Sequence, residues 1–283
     1  MTVETVMAEG GIRLTREGRL AELVIEREAR RNSLDNLALE AMLAALERLS
    51  DMGVSACVIA SEGTRAFCAG SDLKALVGYD MPEKVRHTRL FQRAMAAVDE
   101  APCATIAAIE GYCLGGGLEL ALGCDRRIAS REAVFGFPEI TVGALPTGGG
   151  TLRAPRAIGL ARAREMLIFA ETVDTATAEA IGLVSRTCPP GDARATAREI
   201  GRDYAARIEP DAVALLKDLI HNGQAAPERA TFSLAALTDR ILLASEESRT
   251  RMTDASGPRT ERSNHGADKS NNHGAERGGS AGT

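Results

Sequence analysis

The chain has 283 residues, of which 45% are hydrophobic and 26% charged, with a formal net charge of −5. That is enough chain for one large domain, or one domain with an appendage, and its acidic balance argues against a general grip on nucleic acid, which wants a basic face. No apolar run approaches the ~20 residues of a membrane-spanning helix, and the opening "MTVETVMAEGG" lacks the basic start and apolar block of an export signal.

In chain order, the first element is "RLAELVIE", Arg19 to Glu26, an apolar-rich strand. A charged turn leads to a helix pattern from about Asn36 to Asp51, with Leu39, Met42, Leu43 and Leu46 on one face. "ACVIAS", Ala56 to Ser61, is a short buried strand, and "EKVRHTRLFQRAMAAVDEA", Glu83 to Ala101, a helix that stops before Pro102. "ATIAAIEG", Ala104 to Gly111, is the next buried strand, and "DRRIAS" and "AVFGF" read as a strand pair. Strand, crossover helix and strand recur, which predicts an α/β fold with largely parallel pairing. After Thr187 three helix patterns follow with no strand between them, a helical appendage. From Gly257 to Thr283 alanines are the only apolar side chains, so this tail is expected to be disordered. The expected division is a core over 1–198, helices over 199–256 and a polar tail over 257–283.

The six cysteines lie mostly in apolar segments without C-x-x-C spacing and read as reduced core residues. No cysteine or histidine pair stands at ligand spacing, so no metal is expected.

Three stretches place small residues where a strand ends: "FCAGSDLK" (Phe67 to Lys74), "GYCLGGGLEL" (Gly111 to Leu120) and "FGFPEITVGALPTGGGT" (Phe135 to Thr151). Open α/β folds bind ligands at such ends, where helix-start N–H groups lack intrahelical partners. No glycine run continues into the lysine of a P-loop, and counting G-x-G-x-x-G from Gly115 puts Leu120 at the last position, so neither nucleotide motif fits. Ser71 sits in A-G-S-D-L rather than in a nucleophile elbow. His87 and His221 lie in polar helical patterns, which leaves a serine or cysteine nucleophile without an evident base.

What remains is amide donors and carboxylates. Two strand-end N–H groups converging on one carbonyl oxygen would make an oxyanion site. Glu119 falls in the first turn of the helix after the glycines, and Glu139 follows Pro138. Facing one cleft, they would form a pair able to hold a water and exchange protons. A first-turn glutamate usually opposes the helix dipole, but the neighbours Leu118, Leu120, Ala121 and Leu122 are not those of a solvated cap. Glu139 alone would be an ordinary loop carboxylate. Asp72 reads as a helix cap, the hydroxyl of Ser71 as incidental, and Cys68 and Cys113 as fillers.

The succession F-C-A-G-S-D-L, G-Y-C-L-G-G-G-L-E-L and P-E-I before G-A-L-P-T-G-G-G-T, with "AIGLARAREMLIFAETVDTATAEAIGLVSR" downstream, resembles the crotonase (enoyl-CoA hydratase/isomerase) superfamily over about residues 12 to 190, and more weakly to about 250. The resemblance implies a spiral of ββα units with a C-terminal helical domain, assembled as a trimer or dimer of trimers in the cytoplasm. It implies an oxyanion hole from the N–H groups of Ser71 and Gly116, with Glu119 and Glu139 as catalytic acids. Coenzyme A, as part of the substrate and not a separate cofactor, would meet Ala29, Arg31, Ala69, Gly70, Asp72, Leu73 and Lys74, with Gly115 and Pro138 also in the substrate site. At the end the likeness departs: "SEESRTRMTDASG" is expected to run into the polar tail rather than form the Lys/Arg-rich helix of many relatives. The implied reaction is syn addition of water to a 2-enoyl-CoA, or its reverse. The alternatives are a double-bond isomerase, a thioester hydrolase or a decarboxylase, and, against the acidic charge, a non-catalytic RNA-binding relative.

Overall fold

The computed structural model describes residues 2–223 and 226–256. In chain order these form β1 (Glu4–Glu9), β2 (Ile12–Glu17), β3 (Leu20–Ile25), α1 (Asn36–Arg48), β4 (Ala56–Ser61), β5 (Ala66–Cys68), α2 (Leu73–Gly78), α3 (Met81–Asp99), β6 (Ala104–Ile109), β7 (Tyr112–Leu114), α4 (Gly116–Gly123), β8 (Arg126–Ser130) and β9 (Val134–Gly136). Then follow α5 (Gly150–Ile158), α6 (Leu160–Ile168), β10 (Val173–Asp174), α7 (Thr175–Ala180), β11 (Arg186–Cys188), α8 (Ala193–Ala205), α9 (Pro210–Gly223), α10 (Glu228–Ala244) and α11 (Glu246–Ser256).

Two sheets organise the fold, a seven-stranded one in the order β1-β2-β3-β4-β6-β8-β11 and a four-stranded one in the order β10-β9-β7-β5. From β3 to β11 the large sheet is parallel, and its β1–β2–β3 edge is an antiparallel meander. β5, β7 and β9 pair in parallel. The chain therefore climbs in turns: β4 then β5, β6 then β7, β8 then β9, each time one strand per sheet before the helices return it. This is the expected spiral of ββα units. β8 and β9, read from sequence as a pair, instead belong to different sheets, because strand propensity carries no information about which sheet a strand joins.

The central strands are buried on both faces, as crossover helices require. On one side Leu23, Ile25, Cys57, Ile59, Ala107 and Ile109 enter the main core with α1, α3 and α4. On the other, Leu20, Ala56, Val58, Ala60, Ile106 and Ala108 meet Ala193 and Ala197 of α8. Arg194 and Arg198 ion-pair with Glu22, and Arg198 and Arg202 with Glu17, across the sheet edge.

By internal contacts the described residues divide into two units, with the boundary after Thr238. The boundary expected at 198 falls inside α8. The segment "SEESRTRMTDASG" also departs from expectation: α11 covers Glu246–Ser256. Ser245 Oγ accepts from the Ser248 N–H at 3.1 Å, and Glu246 and Glu247 in the first turn oppose the helix dipole. Polar composition without apolar periodicity hid these end signals. The tail predicted over 257–283 lies outside the described residues.

Candidate active site

The site is built where β5 and β7 end side by side, Cys68 paired with Cys113. Beyond them the backbones of Gly70–Ser71 and Gly115–Gly117 touch. A Cβ on Gly70, whose φ is +86°, would lie 2.9 Å from Gly116 N, and one on Gly117 would overlap the Cys68 carbonyl. Only glycine allows this approach.

Four neighbouring amides are occupied. Ala69 N–H donates to Arg31 O (3.1 Å), Gly70 N–H to Cys68 Sγ (3.4 Å), Asp72 N–H to Leu34 O (2.9 Å) and Gly115 N–H to Gly136 O (2.8 Å). Between them, the N–H groups of Ser71 and Gly116 find no acceptor among the described residues. Gly116 opens α4, so its N–H also carries the positive end of the helix dipole.

Glu119 lies one turn into α4 and is only 2% exposed. Gly150 N–H, at the start of α5, donates to its Oε1 at 2.7 Å. A Cβ on Gly148 would sit 2.8 Å from Oε2, so the "TGGGT" run closes around this carboxylate. Arg153 fixes that loop by donating to Gly148 O at 3.0 Å while pairing with Asp99 at 2.9 Å.

Glu139 begins a 3-10 turn after Pro138. Both its carboxylate oxygens are buried without a hydrogen-bond partner, and Oε1 comes within 3.0 Å of where a Cβ on Gly115 would stand. A carboxylate so placed is costly unless something else uses it. Burial raises the Glu139 pKa above its ordinary value. Glu119 is raised from 4.5 to about 7, first by burial and then by the charge of Glu139, against the opposing Gly150 and Gly148 N–H groups and Arg153. Glu119 thus senses the charge of Glu139.

The raised value has a consequence for stability. Folded Glu119 holds its proton more tightly than the unfolded chain does, so its contribution is fully present at low pH and is lost as pH rises through about 7. The loss is on the order of 3 kcal/mol. Glu119→Gln, which is neutral and still offers Gly150 an oxygen, should melt higher than the wild type at pH 8 and equally at pH 4.5. Thermal unfolding across that range measures it; equal melting curves at pH 8 would refute the penalty.

The segment expected to meet coenzyme A adjoins these groups. Ala29 and Arg31 are exposed on a 3-10 turn, Glu28–Arg30, and its left-handed exit at Arg31. The turn is tied to the β5 end by the Ala69–Arg31 bond and by Asn32, whose Nδ2 donates to Glu62 O (3.0 Å) and Ala66 O (2.7 Å). Asp72 caps α2 by accepting from Lys74 and Ala75 N–H groups, and pairs with Arg30 at 2.7 Å. Leu73 and Lys74 are exposed beside it. Ala29 and Arg31 on the turn, Ala69 and Gly70 after β5, and Asp72, Leu73 and Lys74 at the start of α2 are thus linked by these bonds and by the chain to Ser71, while Gly115 and Pro138 adjoin Glu139.

The partnership of His87 with Ser71 and Asn36 escaped the sequence reading. His87 of α3 has Nε2 2.9 Å from Ser71 Oγ and Nδ1 2.9 Å from Asn36 Oδ1. Ser71 thus has the histidine partner it was expected to lack. The three lie 16 and 51 positions apart, and no spacing rule flags them. The six cysteines are buried and free. Among the described residues, no group of three or more His, Cys, Asp or Glu could hold a metal ion, and no helix is long and apolar enough to cross a membrane.

A sequence profile described as Enoyl-CoA hydratase/isomerase matches residues 15–251. The bovine Enoyl-CoA hydratase domain-containing protein 2, mitochondrial, is 37% identical over 194 residues, 68% of this chain and 66% of its own length. Probable enoyl-CoA hydratase echA8 of Mycobacterium bovis is 37% identical over 219 residues, 75% of this chain and 82% of its own. Among solved structures, an enoyl-CoA hydratase of Bacillus anthracis superposes with a TM-score of 0.81 at 30% identity, covering 87% of this chain and 95% of the other.

Proposed function

The chain belongs to the enoyl-CoA hydratase/isomerase family, and from that premise we propose that it adds water syn across the 2,3 double bond of a 2-enoyl-CoA, giving a 3-hydroxyacyl-CoA, or runs the reverse dehydration. The observation that carries this reading is two vacant amides beside two carboxylates with buried oxygens, Glu119 being raised in part by the charge of Glu139.

The N–H groups of Ser71 and Gly116 receive the thioester oxygen and hold the enolate that forms as water adds. Each such donor is worth ~3 kcal/mol of barrier in a water-poor site. Glu119, held at one oxygen by Gly150 N–H, orients water and takes its proton. Glu139, with neither oxygen engaged by the protein, delivers the proton to the α-carbon. Burial that lifts both carboxylates toward neutrality suits them to act as an acid–base pair near pH 7. Coenzyme A enters with the substrate along Ala29, Arg31 and the Ala69 to Lys74 loop, and no separate cofactor is needed. The same reading makes the assembly a homotrimer or dimer of trimers and its compartment the cytoplasm.

Mass spectrometry of the product from crotonyl-CoA tests the reading. Gain of one water supports it. A shifted double bond at unchanged mass, from a 3-enoyl-CoA substrate with no water gain from any enoyl-CoA, would replace it with an isomerase.

A further inference from the structure

The hydration mechanism leaves three side chains beside the reacting carbonyl unused. Ser71 Oγ meets His87 Nε2 at 2.9 Å, and His87 Nδ1 meets Asn36 Oδ1 at 2.9 Å. An amide oxygen accepts and cannot donate, so the imidazole proton sits on Nδ1 and Nε2 turns its lone pair to the serine hydroxyl. Hydroxyl, imidazole base and a third group fixing the tautomer are the parts that activate a serine nucleophile.

The arrangement is held from several elements. Asn36 is the first residue of α1, and its N–H donates to Tyr79 Oη at 3.3 Å. His87 is 4% exposed, with the Tyr79 and Phe91 rings 6.2 and 5.9 Å away. Burial keeps its pKa below the ordinary value, hence neutral, against the opposing charges of Asp35 and Asp72. Ser71, by contrast, is partly open to solvent. Its vacant N–H and its hydroxyl belong to one residue, so the group that would hold a carbonyl oxygen and the group that would attack its carbon are covalently linked. Serine hydrolases likewise use the nucleophile's own amide in the oxyanion site.

We propose that this chain also cleaves acyl-CoA thioesters, through an acyl ester on Ser71 with His87 as base and Asn36 as its positioning residue. The inference shares the Ser71 and Gly116 oxyanion position with the hydratase reading. Ser71 Oγ bonds to the thioester carbon as its proton passes to His87 Nε2, and the carbonyl electron pair moves onto the oxygen held by the two amides. The pair returns, the C–S bond breaks, and the departing thiolate takes the proton from His87. Water then attacks the Ser71 ester as His87 accepts its proton, and the serine oxygen leaves and recovers that proton. One water is consumed, and a carboxylic acid and free coenzyme A result. Saturated acyl-CoA is the substrate class best suited to this route, because it offers no double bond to the Glu119 water.

Butanoyl-CoA is the probe. The wild type should release free thiol faster than buffer alone, and acid-quenched enzyme should carry a butanoyl mass increment mapping to the peptide with Ser71. Ser71→Ala and His87→Gln should each lower thiol release by at least about 100-fold, and Asn36→Asp, which keeps an acceptor on Nδ1, should retain most of it. Near-ultraviolet circular dichroism of each variant certifies folding. No release above buffer, or wild-type release by folded Ser71→Ala, overturns the inference. Crotonyl-CoA hydration on the same wild-type preparation scores the other reading separately: water gain without thiol release sinks only this inference, and thiol release without water gain sinks only the hydratase.

Discussion

Glu119→Gln and Glu139→Gln should each slow hydration of crotonyl-CoA by about 10²–10⁴-fold, the range lost with a positioned proton-transfer group. The two should fail differently. Glutamine at 119 still accepts from Gly150 N–H, so the loop keeps its shape, but it cannot take a proton from water. Glutamine at 139 cannot deliver the α-proton, and it also removes a charge that raises Glu119. The acid-side limb of any residual activity should then move to lower pH, because Glu119 ionises more readily. Steady-state rates across pH decide it; near-wild-type turnover in both variants would end the assignment of the pair.

The second large effect is at Gly116. A Cβ there would overlap the tip of the Phe91 ring, which is itself buried at 3% exposure. Either the ring leaves its place in the core or the amide of residue 116 swings away from that of Ser71. Gly116→Ala should therefore cost about 10²–10³-fold in kcat/KM, the loss of one oxyanion donor, in a chain that still folds. Adding Phe91→Leu should return part of the loss, and the double-mutant cycle measures the coupling. Full activity in Gly116→Ala would mean that this amide does not hold the thioester oxygen.

Much of the fold is legible in the residues. β3, β4 and β6 are short apolar runs, and α1 and α3 carry an apolar stripe at helical period, so their positions follow from burial alone. β1 does not, because the strand at the sheet's edge is largely solvated, with only Met7 fully buried, and β2 sets just two apolar residues, Ile12 and Leu14, among polar ones. β5, β7 and β9 are three residues long, too short to show any period. Glu119 is visible because a charge amid apolar residues needs a reason, and Glu139 only through its place in the P-E-I stretch. Ser71, His87 and Asn36 were not visible as a group, since their meeting depends on how α3 and α1 pack against the loop after β5, and side-chain type alone cannot report that.

The ion pairs and alanines that fasten α8 to the large sheet also order events in time. Glu17 and Glu22 leave the ribosome long before Arg194, Arg198 and Arg202, and until those arrive the face bearing Val58, Ile106 and Ile128 has no cover. Pairings over such a span close late, so a nascent chain stalled before residue 193 shows a greasy parallel surface to its surroundings, a species that chaperones hold and that self-associates if they do not.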